Sequence, residues 1–151
     1  MIYLSKEIDL EIPILLVDFS KDEILGVPEA QEVISNLEKL NTKIYTTQNG
    51  NPVYPGLNLP YWFSDFEEFS RLIPETIQIC GLYKELCLYQ LASFLIPKKT
   101  PIIIDNDKYS ISASEETIAE TPWISFKERI KQGKLKYKTP ERASALLDKR
   151  N

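Results

Sequence analysis

The stretch Ile77-Gln-Ile-Cys-Gly-Leu-Tyr-Lys-Glu-Leu-Cys-Leu-Tyr-Gln-Leu-Ala-Ser-Phe-Leu95 decides how this chain is read. Its first residues, Ile77–Cys80, form a short apolar run that stops at Gly81. A helical rhythm then takes over, with Leu86, Cys87, Leu91 and Phe94 at spacings that return to one face. A buried strand running into a helix follows, and it places Cys87 in the helix's first turn. Helix N-termini carry partial positive charge and unpaired N–H groups, which favour a thiolate there. Cys87 is therefore a candidate nucleophile. The competing reading is packing, because cysteine commonly behaves as a small buried hydrophobe. Cys80, inside the apolar strand, is read that way.

Outward from this unit, Ile12–Phe19 is a continuous apolar run ending around Asp18, as expected of a parallel strand buried on both faces. Pro28 opens a helix whose Ala30, Val33, Ile34, Leu37 and Leu40 make one apolar face. Lys43–Thr47 is short and β-rich, a second strand. Gln48–Pro60, with Gly50, Pro52, Pro55, Gly56 and Pro60, predicts a structured loop. Ser64-Asp-Phe-Glu67 has the form of a capping box opening a helix to about Ile73. Pro101–Asp105 is another buried strand stopping at an acid. Ser112–Thr121 predicts a short helix, Trp123–Gln132 a longer one closed by Gly133, and Thr139-Pro140 the start of a last helix over Pro140–Lys149. Strands alternating with helices give an α/β fold, a three-layer sandwich with a mostly parallel central sheet flanked by helices. Ligands of such sheets sit at the carboxyl ends of the strands. Asp18, Asn49, Cys87 and Asp105 all fall at or just past such ends.

A chain of 151 residues is expected to form a single domain, here 1–151, with 123–151 a basic helical C-terminal extension. Residues 1–96 hold 14 acids against 6 Lys and Arg, whereas residues 97–151 hold 8 against 12. The excess lies mainly in Lys127, Arg129, Lys131, Lys134, Lys136 and Lys138. Such a run can contact nucleic acid, but a solvated helix and tail is the better reading. No apolar run is long enough to cross a bilayer. Met1–Asp9 lacks the apolar core of a signal peptide, so a cytoplasmic location with reduced thiols is expected. The chain has no histidine, which removes the commonest general base and the commonest metal ligand together.

Four segments carry a family resemblance. Leu16-Val17-Asp18-Phe19-Ser20-Lys21-Asp22 resembles the D-x-Q-x-D entry of isochorismatase-like (nicotinamidase-type) cysteine hydrolases. Thr47-Gln48-Asn49-Gly50-Asn51-Pro52 is similar to their T-x-D-x-H-P loop. Cys80-Gly81-Leu82-Tyr83-Lys84-Glu85-Leu86-Cys87-Leu88 resembles their G-x-x-T-x-x-C-V nucleophile turn, and Ile102–Asp105 the strand that follows. The likeness spans roughly Ile12–Tyr109. It implies Cys87 as a thiolate attacking an amide or related carbonyl, Asp18 as its base, and a lysine holding that pair charged. Backbone N–H groups at Leu86 and Cys87 would receive the oxyanion. Asn49 and Asn51 in the matched loop are candidate substrate contacts, as, apart from the resemblance, is Trp62 in the aromatic run Pro60–Phe63; a homo-oligomer is expected by resemblance alone.

The departures point elsewhere. No lysine lies between Lys43 and Lys84, and Arg71 falls within a predicted helix. Without that cation, Asp18 would suppress ionisation of the thiol. The family's metal ligands read Asn49 and Asn51 here, and amides do not replace imidazoles, so no metal and no other cofactor is expected. Lys84 replaces the threonine ahead of the nucleophile, and the shortened region before Thr76 implies a missing lid. The expected function is a divergent domain that has lost standard hydrolysis and acts as a small-ligand-binding or protein-interaction module. The alternative is an active, metal-independent cysteine hydrolase using Cys87 and Asp18. Duller roles compete at several positions. Asp18 and Asp22 can cap backbone N–H groups, Asn49 and Asn51 can serve turns beside Gly50, and Pro60-Tyr-Trp-Phe63 can be core, pocket floor or interface. Asp105-Asn106-Asp107 also imitates, locally, the nucleophile motif of haloacid dehalogenase-like phosphatases.

Overall fold

The computed structural model describes residues 1–17, 19, 21, 24–47, 57–114 and 126–137. The apolar runs form its centre. Ile14–Val17 (β2), Thr76–Leu82 (β5) and Thr100–Ile104 (β6) are almost wholly buried, and each is rich in the branched side chains that suit a strand covered on both faces. Around them lie Ile2–Ser5 (β1), Ile44–Thr47 (β3), Leu57–Leu59 (β4), Ser110–Ile111 (β7) and Leu135–Tyr137 (β8). The sheet runs β4-β3-β2-β5-β6-β1-β8, with β7 beside the end of β5, and every pairing among the described residues is parallel.

Alternation along each strand gives the sheet two apolar faces. On one, Leu15, Val17, Ile77, Ile79 and Ile103 pack with Phe69, Leu88, Leu91 and Leu95, and Phe126 closes on the same cluster. These residues come from helices α2 (Phe66–Leu72), α3 (Tyr89–Leu95) and α4 (Phe126–Lys131) and the turn before α3. On the other, Ile14, Leu16, Ile44, Cys80, Ile102 and Ile104 pack with Val33, Ile34 and Leu37 of α1 (Ala30–Glu38). The result is the expected helix–sheet–helix layering. Gln78, fully buried in β5, is completely satisfied: its amide donates to the Asp9 and Ile12 carbonyls at 2.8 and 2.9 Å and accepts from the Asp9 N–H at 2.8 Å. It staples the β1–β2 connection to the centre of the sheet.

Several expectations need correction. Among the described residues of the strand expected over Ile12–Phe19, Ile14–Val17 form β2, and Ile12, Pro13 and Phe19 are not part of it. The loop expected over Gln48–Pro60 contains β4 at Leu57–Leu59. Asp65, not Ser64, caps α2, its side chain accepting from the Glu68 N–H. Ser112–Ser114 are not helical, and the remainder of that expected helix and the one over Pro140–Lys149 lie outside the described residues. The described part of the basic C-terminal segment is α4, a turn through Gly133 (φ +74°) and β8, so it completes the sheet edge rather than forming a helical appendage. No helix among the described residues is long and apolar enough to cross a membrane.

Candidate functional site

The site is built at the carboxyl ends of β5, β6, β1 and β8. Gly81 makes it feasible. Its φ of +121° suits glycine, and a Cβ there would stand 2.3 Å from the Val17 carbonyl oxygen, so β2 and β5 approach this closely only without a side chain. After Leu82 comes a cis peptide to Tyr83, and then Lys84–Leu88 form a π-helical turn that leads directly into α3. The Tyr83 carbonyl accepts N–H groups from both Leu86 (3.1 Å) and Leu88 (3.2 Å). The wide turn sends its side chains in separate directions. Lys84 reaches toward β6, the Glu85 carboxylate accepts the Ala113 N–H at 3.0 Å, and Cys87 lies half-buried against the core on the α2–α3–α4 face.

Lys84 is the centre of an ionic network. Only 5% of it is exposed, yet its ammonium donates to Asp105 at 3.0 Å and to Asp107 at 3.1 Å. The second Asp105 oxygen accepts from Lys6 at 2.9 Å and from the Tyr137 hydroxyl at 2.5 Å. Each partner follows or ends a different strand, so one carboxylate gathers four strand ends. Burial pushes the Asp105 carboxyl up, but hydrogen bonds from Tyr137, Lys6 and Lys84 outweigh it and hold it at about 2. Burial likewise pulls the Lys84 ammonium down, and its two aspartates more than reverse this, leaving it above its ordinary value. The Cys80 thiol, fully buried, is pushed well above the usual range. Asn106 makes its own turn, accepting from the Lys108 N–H and donating to the Lys6 carbonyl, which fixes Lys6 beside Asp105.

The sequence-derived residues fare unevenly. Cys87 does stand past the end of β5, but in the π-helical turn ahead of α3 rather than in the first turn of an α-helix, since the Leu88 N–H reaches back five residues to Tyr83. The expected oxyanion donor at Leu86 is already spent within the turn, on Tyr83. Trp62 is 1% exposed and belongs to the core, edge-on to Phe63 and tilted against Phe94, its indole N–H without an acceptor among the described residues. Asp18, Asp22, Asn49 and Asn51 lie outside the described residues. Asp105 directly follows its strand, which ends at Ile104 rather than at the acid, and both its oxygens are occupied by hydrogen-bond donors, a poor posture for a phosphatase-type nucleophile.

Sequence reasoning missed the network itself. Lys84 in an otherwise apolar strand–helix unit and the acids after β6 were visible signals. Lys6 and Tyr137 carried none, because only the strand order brings them beside Asp105. The metal implied by the family resemblance does not fit this chain, which has no imidazole to offer it. Scans against models of known families, against curated proteins and against solved structures return no match.

Proposed function

We propose that this chain is a divergent isochorismatase-like domain that has lost standard hydrolysis and binds a small ligand at the carboxyl edge of its sheet. The observation that carries this reading is the state of Lys84. A carboxylate and a thiol share a site as an ion pair only when a fixed cation offsets their mutual repulsion. Lys84 is the buried lysine nearest Cys87 along the chain, and its charge is committed to Asp105 and Asp107. The spent Leu86 N–H weakens oxyanion stabilisation in the same direction. A ligand could still use the half-buried Cys87 edge without bond cleavage.

Alkylation of Cys87 by iodoacetamide, located by peptide mass mapping, tests the loss of hydrolysis. The expected result is a rate at neutral pH no greater than that of a small free thiol, and no ammonia release from a panel of primary amides. A rate about tenfold or more above the free thiol at neutral pH sinks the reading. The second reading, a metal-independent cysteine hydrolase using Cys87 and Asp18, draws support from the pairing of Val17 with Gly81, which brings the end of β2 beside the strand that leads to Cys87. Fast alkylation together with amide turnover abolished by Cys87→Ala would establish it.

A further inference from the structure

One layer of the molecule carries α2, α3 and α4 side by side. Phe66 of α2 meets Phe94 of α3 edge-to-face at 5.8 Å, and Arg129 of α4 stacks 3.3 Å from the ring centre of Tyr89 at the start of α3. The outer surface of this layer is polarised. From its cap to its end, α2 holds Asp65, Glu67 and Glu68 against Arg71 alone. From α4 into the turn before β8 the exposed charges are Lys127, Lys131 and Lys134 against Glu128, while Arg129 is buried beneath them against Tyr89. On the α2 side, reaching α3 through Phe94, lies an aromatic group of Tyr61, Trp62, Phe63, Phe66 and Phe94, in which Trp62 is core but Phe63 is 64% and Phe94 50% exposed. Aromatic surface of this kind, rimmed by charge, marks an interaction face.

We propose that this layer is the face on which a second copy of the chain docks, around a twofold axis lying in the contact plane and running along α3. The charges choose that axis. Rotation about it sets acidic α2 of one copy opposite basic α4 of its partner, twice, and brings α3, with the exposed Phe94, against α3 of the partner. Rotation about the perpendicular in-plane axis sets α2 on α2 and α4 on α4, like charge on like. A closed, isologous contact with both attractive pairings follows from symmetry alone. This inference stands apart from any reading of Cys87.

The test is sedimentation velocity of the full chain across a concentration series, at about 0.05 M and about 0.5 M salt, because screening weakens exposed charge pairs. A dimer is expected, with its dissociation constant raised several-fold by the higher salt. Phe94→Glu should weaken it at least tenfold. Because Phe94 also touches Trp62 and Phe66, two surface variants guard against a folding defect. Glu67→Lys with Glu68→Lys, and separately Lys127→Glu with Lys131→Glu, should each weaken the dimer. All four changes in one chain should restore it, since the opposed charges are then exchanged. A monomer at every concentration overturns the proposal, as does a dimer indifferent to these variants. Weakening by both pairs without recovery in the fourfold variant overturns the proposed axis.

Discussion

A methyl group added at Gly81 would meet the backbone of β2, because the Val17 carbonyl oxygen stands 2.3 Å and the Val17 nitrogen 2.9 Å from the Cβ position. Backbone cannot swing aside as a side-chain tip can, and the positive φ adds its own cost. Gly81→Ala is expected to destabilise the fold by ~3–5 kcal/mol, measured by urea unfolding. The charge network makes a second prediction at the same scale. Asp105 sits at about 2 in the folded chain against ~3.9 unfolded, so the unfolded chain binds more protons between those values. Its contribution is complete above that window and lost as the pH falls through about 2. Lys84, raised in the fold, contributes fully below its unfolded value of ~10.4 and loses its contribution only as pH rises through its higher folded value. Asp105→Asn should therefore flatten the acid arm of stability against pH, and an unchanged arm would show that Asp105 does not drive it. Lys84→Met strips a buried pair of one partner and is expected to cost ~2–4 kcal/mol in the same unfolding assay.

At the scale of elements, α2 is short and its N-terminal N–H groups need a partner, which Asp65 supplies through Glu68. Asp65→Ala should lower stability by ~1 kcal/mol, whereas Ser64→Ala, on the residue the motif first suggested, should be nearly silent in thermal unfolding. That slip of one position shows where sequence is legible and where it is not. The buried strands β2, β5 and β6 are readable as local apolar runs, and the amphipathic helix α1 because its apolar residues are periodic. The strands β7 and β8 span two and three residues, too few for a pattern to show, and β1, as long as β2, has Tyr3 and Ser5 where β2 is unbroken Ile, Leu and Val; each exists because a partner far along the chain offers its edge. The same limit governs the site. Gly81 and Cys87 announce a tight strand–helix junction, but nothing local says that Leu88 will close a five-residue turn onto Tyr83 or that Lys84 will find Asp105.

For the molecule as a whole, the network does for the carboxyl edge what Gln78 does for the amino edge, joining segments distant in sequence across the sheet. Its outermost member is β8, three residues paired with β1 at Ile2, Tyr3 and Leu4, of which Leu135 alone is buried. Tyr137 ends that strand, its hydroxyl on Asp105 and its ring under the Lys6 ammonium at 5.3 Å. So little buried apolar surface leaves β8 an edge expected to open ahead of the central strands, with the Tyr137 hydroxyl as its latch. Tyr137→Phe keeps the ring and removes only the donor. Hydrogen exchange followed by mass spectrometry should then show peptides covering β8 exchanging about tenfold faster, the loss of a charge-assisted hydrogen bond of ~1.5 kcal/mol, while β2, β5 and β6 are unchanged. Uniform acceleration across the sheet would mean that the edge opens only when the whole molecule does. No acceleration anywhere would mean that Leu135 and the β1 ladder hold β8 without the tyrosine.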